Sequence, residues 1–203
     1  MRISNTLRAV ALLPCVLIPA VFGQANYTRS SKRGLIFIPN PDTPQDNSIW
    51  IEPGSDLTWY YNYIATPSSA LADSSLEFVP MLYTAPTSSS DTVFSDAVKS
   101  LISGGTNISY ILTYNEPDGT SSTGGSDVPA SLAASTWIRE VEPLKKLGVK
   151  LGAPAVTGGS GGFQWLSDFF TACNGSCNPD FIPIHWYGNF EGLASHMGQV
   201  RGT

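Results

Sequence analysis

From residue 34 onward, short apolar runs alternate with amphipathic stretches, and the runs have the length and bounding turns of buried strands. Residues 34–38 (GLIFI) predict a first strand, closed by a Pro/Asn/Asp loop. Residues 57–63 (LTWYYNY) predict a second. Residues 76–83 (LEFVPMLY) predict a third, with Pro80 at a bulge or near its end because proline gives no N–H to a ladder. Phe94, Val98, Leu101 and Ile102 then share one helical face, which predicts a helix over 91–103 stopped by Gly104-Gly105. Residues 110–114 (YILTY) are the fourth expected strand. A Gly/Ser/Thr loop over 119–125 leads to a helix capped by Ser126 or Asp127, with Pro129 in its first turn. Leu132, Trp137 and Val141 form its apolar face, and Pro143 ends or kinks it. Residues 150–155 predict a fifth strand, 163–172 a helix, and 181–187 (FIPIHWY) a sixth strand.

Strand and helix alternating in this way define an α/β class with a parallel sheet. A doubly wound sheet would bring a phosphate or nucleotide site. The one glycine-rich candidate, residues 158–162 (GGSGG), has neither the Walker lysine nor the dinucleotide spacing and reads as a flexible loop. A TIM-type (β/α)8 barrel fits better. Such barrels take about 250 residues, and roughly six of the eight βα units are expected within residues 34–203, so the barrel is expected to be incomplete. Its first and sixth strands should then be open edges that expose Leu35, Phe37, Ile182 or Ile184.

The first residues read differently. Arg2 and Arg8 precede an apolar run over 9–22 that Pro14 and Pro19 interrupt, too short to span a bilayer. This is the pattern of a secretory signal peptide over 1–23, followed by a short segment over 24–33 and one domain over 34–203. No later segment is apolar enough to span, so no membrane attachment is expected after cleavage. Export fits the rest of the composition. Charged residues are 13% of the chain, aromatics 11%, and the net charge is −5. An acidic, lightly charged, ring-rich chain is a poor partner for nucleic acid and a good one for neutral ligands. Cys15 leaves with the leader, and Cys173 and Cys177 remain as an even pair in an oxidising compartment, which predicts a disulfide. Two thiols and two histidines make a poor metal set, so neither metal nor cofactor is expected. Asn26, Asn107 and Asn174 each open an N-x-[ST] sequon, expected to be glycosylated on a secreted chain. Lys32-Arg33 is either a dibasic processing site or an ordinary basic patch. The mature protein is expected to be a monomer.

Barrels work at the C-terminal ends of their strands. The fourth expected strand runs out into Asn115-Glu116-Pro117-Asp118. A carboxyl half-buried among apolar walls there is favoured in its neutral form, as a general acid requires. Strict alternation points Asn115 and Glu116 to opposite faces, so one site can use both only if the strand ends in a bulge or twist. The same residues also fit a loop cap and a turn. The sixth expected strand ends His185-Trp186-Tyr187, with His185 and Tyr187 on one face and Trp186 on the other. Trp59, Tyr61 and Tyr63 share a face of the second, either as platforms for sugar rings or as core, while Trp137 and Trp165 belong to the core.

Several of these runs together are distinctive. Residues 110–119 (YILTYNEPDG), 151–156 (LGAPAV), the Cys173/Cys177 pair and 180–188 (DFIPIHWYG) resemble glycoside hydrolase family 128, mostly fungal endo-β-1,3-glucanases. The opening runs Lys32-Arg33-Gly34 and 59–63 (WYYNY) match as well. The resemblance implies a retaining, two-glutamate cleavage of β-1,3-glucan in a cell wall. Glu116 would be the acid/base, Asn115 the holder of the sugar 2-hydroxyl, and His185 and Tyr187 the rings flanking the nucleophile, with Trp186 and Trp59 also binding substrate. The nucleophile belongs at the end of a seventh strand, which the resemblance places outside these residues. A non-catalytic glucan-binding protein and a hydrolase of another polysaccharide are the alternatives.

Overall fold

The computed structural model describes residues 32–200. The expected leader over 1–23, Cys15 and the Asn26 sequon lie outside them. Six strands are paired in parallel among the described residues: β1 (Gly34–Ile36), β2 (Trp59–Tyr61), β3 (Glu77–Phe78), β4 (Met81–Leu82), β5 (Tyr110–Asn115) and β6 (Lys150–Ala155). They form two three-stranded sheets, ordered β1-β2-β3 and β4-β5-β6.

The third expected strand is therefore two, and Pro80 is the reason. The Val79 N–H donates to Tyr60 O at 2.8 Å, which keeps pairing with β2. One residue later the Pro80 carbonyl accepts from Leu112 N–H at 2.9 Å, which starts pairing with β5. Bonding on the β2 side continues past Pro80, where Met81 N–H donates to Ile64 O at 3.0 Å, so the run has a neighbour on each side and the missing proline N–H only interrupts it; the two sheets are successive parts of one wall.

The connections carry fewer helices than the sequence led us to expect. β1–β2 and β2–β3 are bridged by 3-10 turns at Pro44–Ile51 and Ser69–Leu71. The α-helices come later: α1 (Val93–Ser103), α2 (Ala130–Thr136), α3 (Ser160–Cys173) and α4 (Phe190–Val200). α2 has no side-chain cap; Pro129 sits at its N-cap position, and Asp127 adopts φ +51 instead. Of the two outcomes expected at Pro143, an end or a kink, the structure has a change of winding. The winding widens into a π-turn at Trp137–Val141, whose closing Glu142 N–H reaches Trp137 O, and then tightens to 3-10 over Glu142–Leu147. The wider turn makes room for a proline ring that would clash with the carbonyl four residues back. Residues 158–162 are likewise not a free loop, since α3 begins inside them. A side chain at Gly162 would meet Thr157 O at 2.5 Å, so glycine there lets helix and strand touch.

The core lies between the sheets and these helices. Ile111 and Leu151 from the strands meet Val98, Trp137, Val141, Leu144 and Phe169 from the helices. Trp137 is fully buried, edge-on to Phe169 at 5.7 Å, and Trp165 stacks on Phe169 at 5.6 Å. Glu140 is also fully buried. Its Oε2 accepts from the Phe94 and Ser95 N–H groups at 3.0 and 3.1 Å, where it supplies the acceptor that the first turn of α1 lacks. Glu140→Ala leaves those donors buried and unpaired, and thermal or urea unfolding is expected to register a loss of about 3 kcal/mol.

The last expected strand is reduced to one bridge, Gly152↔Phe181, with Ala153 N–H donating to Phe181 O at 2.9 Å. Two residues further, the next donor to β6 in that register would be residue 183, and Pro183 has no N–H to give to Ala153 O. The ladder stops there. At the other end, β1 turns Phe37 into the core against Tyr60 and leaves Ile36 and Ile38 exposed at 54% and 69%. Ile36, Ile38 and Ile182 are thus the exposed apolar residues, whereas Phe37 is buried and Leu35 packs partly buried against the core, a correction that follows from the alternation along 34–38.

Candidate functional site

At the C-terminal end of β5 the backbone leaves ideal strand geometry. Its register against β6 shifts between Ile111 and Thr113 and again between Thr113 and Asn115. Tyr114 and Glu116 adopt φ +32 and +43, in the left-handed region. For residues with a Cβ that conformation costs on the order of 1–2 kcal/mol each. The irregularity resolves the alternation problem. Tyr114 turns out to α2, donating its hydroxyl to Ala133 O at 2.8 Å, while Asn115 and Glu116 both reach one cleft.

Glu116 is anchored through its N–H to Ala155 O at 2.7 Å. Its Oε1 lies 2.8 Å from His185 Nδ1, with side-chain exposures of 16% and 23%. This contact serves either protonation state. A protonated Nδ1 donates to the carboxylate, and a protonated carboxyl donates to a bare Nδ1. Asn115 donates its amide to Gly124 O at 2.9 Å, and the Tyr83 hydroxyl donates to the same carbonyl at 2.8 Å, so the 119–125 loop fixes the amide's orientation.

Rings wall the cleft, which encloses about 530 Å³. Trp59 stacks on Tyr61 at 6.3 Å, Tyr61 meets Tyr63 at 5.2 Å, and Tyr63 meets Tyr83 at 6.0 Å. The period of β2 thus lays a continuous ring surface along one side. Burial pushes the Tyr61 hydroxyl well above the ordinary tyrosine range, helped by Tyr63 and Tyr187, so it stays a neutral hydrogen-bonding group. On the other side His185, Trp186 and Tyr187 all line the cleft with Ile184. The separation of Trp186 from His185 expected from strand alternation does not occur, because the segment is no strand. Trp186 also packs inward, stacked on the buried His196 at 5.4 Å and donating to Asn189 O at 2.9 Å. Tyr187 stands at the rim, 89% exposed.

Glu116 is the one carboxylate among the described residues lining this cleft. The other predicted positions lie elsewhere. Cys173 and Cys177 form a disulfide with Cα atoms 5.5 Å apart, at the end of α3. Asn174 caps that helix at φ +45, and Asn107 precedes β5, so both are exposed at the N-terminal side of the strands, away from the cleft. No three metal-ligating side chains cluster among the described residues, and no helix there is long and apolar enough to cross a membrane. Sequence reasoning missed Ile36, Tyr83, Thr123, Gly124 and Ile184 as site residues. No motif marks them: the loop after β5 brings in Thr123 and Gly124, while β1, the end of β4 and the segment after Phe181 bring in the others.

Parallel strands that carry a half-buried carboxylate–imidazole pair and a ring-walled cleft at their C-terminal ends define a barrel-type α/β hydrolase domain. Residues 34–203 match the family described as glycosyl hydrolase catalytic core, and the chain belongs to that family. Alkali-sensitive linkage protein 1 of Schizosaccharomyces pombe is 35% identical over 175 residues, covering 84% of this chain and 29% of that protein. The chain therefore spans less than a third of that relative. A family 128 (subgroup IV) endo-β-1,3-glucanase from Lentinula edodes is 28% identical, with a TM-score of 0.56 over 73% of this chain and 57% of that one. A family 128 (subgroup III) curdlan-specific exo-β-1,3-glucanase from Blastomyces gilchristii shares the fold at a TM-score of 0.66 and 24% identity, covering 85% of this chain and 69% of that one. Family 128 is the family to which the sequence motifs pointed.

Proposed function

We propose that this chain supplies the acid/base side of a retaining β-1,3-glucan hydrolase that is exported and acts on cell-wall polysaccharide. The single observation that carries the reading is the Glu116–His185 pair at the mouth of β5, facing a wall of rings. In the first step Glu116 gives its proton to the leaving glycosidic oxygen as a second carboxylate attacks the anomeric carbon from the opposite face. In the second step Glu116 takes a proton from the water that releases the sugar. His185 holds the carboxyl in place through both steps, and Asn115, its amide already oriented, takes the 2-hydroxyl. Trp59, Tyr61 and Tyr63 offer flat faces to glucose rings, with Trp186 and Tyr187 across the cleft. The linkage rests on the Lentinula edodes relative, an endo-β-1,3-glucanase.

The second carboxylate has to stand about 5–5.5 Å from Glu116, and no described residue lining the cleft offers it. Glu191 lies in the first turn of α4 and is not among those residues. The nucleophile is accordingly assigned to a further strand that completes the barrel. The same observation favours the second reading, a glucan-binding protein without turnover. A panel of soluble β-1,3-glucan, β-1,4-glucan and mannan tests both. Hydrolysis confined to β-1,3-glucan by the complete natural polypeptide is expected. Binding of that glucan without hydrolysis would establish the second reading, and preference for mannan or β-1,4-glucan would remove the first.

A further inference from the structure

Glu116 sits at the start of a tight turn, closed by Gly119 N–H donating to Glu116 O at 2.8 Å. Pro117 and Asp118 are the turn's inner residues. Asp118 does not face the cleft. Both of its carboxylate oxygens go to one residue on the neighbouring loop: Oδ1 accepts from Thr157 N–H at 2.9 Å, and Oδ2 accepts from the Thr157 hydroxyl. Thr157 follows β6 and is itself followed by Gly158. A side chain at Gly158 would meet the Trp186 ring at 3.4 Å and His185 O at 3.6 Å. The segment carrying His185 has no ladder beyond Phe181; Trp186 is held by stacking on His196 and by its bond to Asn189 O, with its ring and the His185 carbonyl lying beside Gly158. Thr157-Gly158 is therefore the shared floor under both halves of the Glu116–His185 pair.

The geometry points to Asp118 as a positioning residue for the proposed acid/base: its two-point clamp on Thr157 holds the left-handed Glu116 turn at hydrogen-bond distance from His185. This rests on the reading of Glu116 and His185 as a working pair. The role is one of shape. Asn at 118 keeps an oxygen for the Thr157 N–H and an amide for the Thr157 hydroxyl oxygen, so the clamp survives loss of charge. Ala keeps neither.

The chain contains two histidines, which gives a direct readout. With ring nitrogens labelled, the His185 Nδ1 resonance should carry the shift of a hydrogen-bonded nitrogen, as donor or as acceptor, from its contact with Glu116, while the buried His196 serves as the internal reference. Glu116→Ala is expected to remove the His185 signal, and Asp118→Ala to remove it as well, with His196 unchanged in both. Asp118→Asn should retain it. Persistence of the signal in Glu116→Ala would break the pair itself and the functional reading with it. Loss in Glu116→Ala but persistence in Asp118→Ala would overturn the positioning role alone. Loss in Asp118→Asn would overturn it too, since charge rather than shape would then be responsible. If Asp118→Ala fails to fold, Thr157→Val decides: it keeps the backbone donor and removes the hydroxyl. A weakened His185 signal supports the clamp, and an unchanged one overturns it.

Discussion

Glu116→Gln, made in a polypeptide that hydrolyses β-1,3-glucan, is expected to lower kcat on the polymer by about 10²–10⁴-fold, the usual worth of a positioned general acid. Glucan affinity should stay within about twofold of wild type, because an amide keeps the carboxyl's shape and the ring wall is untouched. The physical reason is the leaving group. A sugar hydroxyl leaves as a strongly basic alkoxide unless a proton arrives with bond breaking, and the amide has none to give. His185 cannot substitute: its Nδ1 is turned to Glu116 at 2.8 Å, so it is committed to the carboxyl. Steady-state kinetics with a binding measurement on the same variant would check this. A fall in affinity with kcat unchanged would make Glu116 a binding residue.

Residues 24–203 by themselves are expected to show no turnover of β-1,3-glucan. A retaining reaction passes through a covalent glycosyl–enzyme, and its nucleophile stands about 5–5.5 Å from the acid/base. Glu116 is the only carboxylate among the described lining residues, and Asp118 is spent on Thr157. Ile36, Ile38 and Ile182 are exposed. Further strands, one beside β1 and one ending in glutamate at the cleft, should restore activity and bury these side chains together. Measurable hydrolysis by 24–203 that disappears in Glu116→Gln would mean that these residues already contain the nucleophile.

How much of this was legible in the sequence depended on how local the cause was. The interiors of β5 and β6 and the inward face of α1 follow from short-range periodicity, and the structure has them at the expected positions. Glu116 was placed at the end of β5, where the structure has it, whereas His185 was placed at the end of a strand that does not form, and its contact with Glu116 is what brings it to the cleft. What the sequence concealed was set by pairs distant along the chain. Pro183 ended the last ladder because the register with β6 makes residue 183 the next donor, to Ala153 O, which its own neighbours in sequence do not reveal. Pro143 left an end or a kink open, and the π-turn before it, which absorbs the ring, is what decides between them. The glycine run at 158–162 looked like slack, yet Gly162 is required by contact with Thr157. Asp118 carried no signal of its own, because its partner lies 39 positions away.

The most direct measurement of Glu116's role is the leaving-group dependence of Glu116→Gln in the glucan-hydrolysing polypeptide, comparing a β-1,3-gluco-oligosaccharide with an aryl glycoside whose phenol leaves without a proton. A general acid matters only where the leaving group is poor. The expected result is a loss of about 10²-fold or more in the bond-breaking step on the oligosaccharide, with the same step on the aryl glycoside within about tenfold of wild type. Equal losses on both substrates, or none on either, would contradict the assignment of Glu116 as the proton donor.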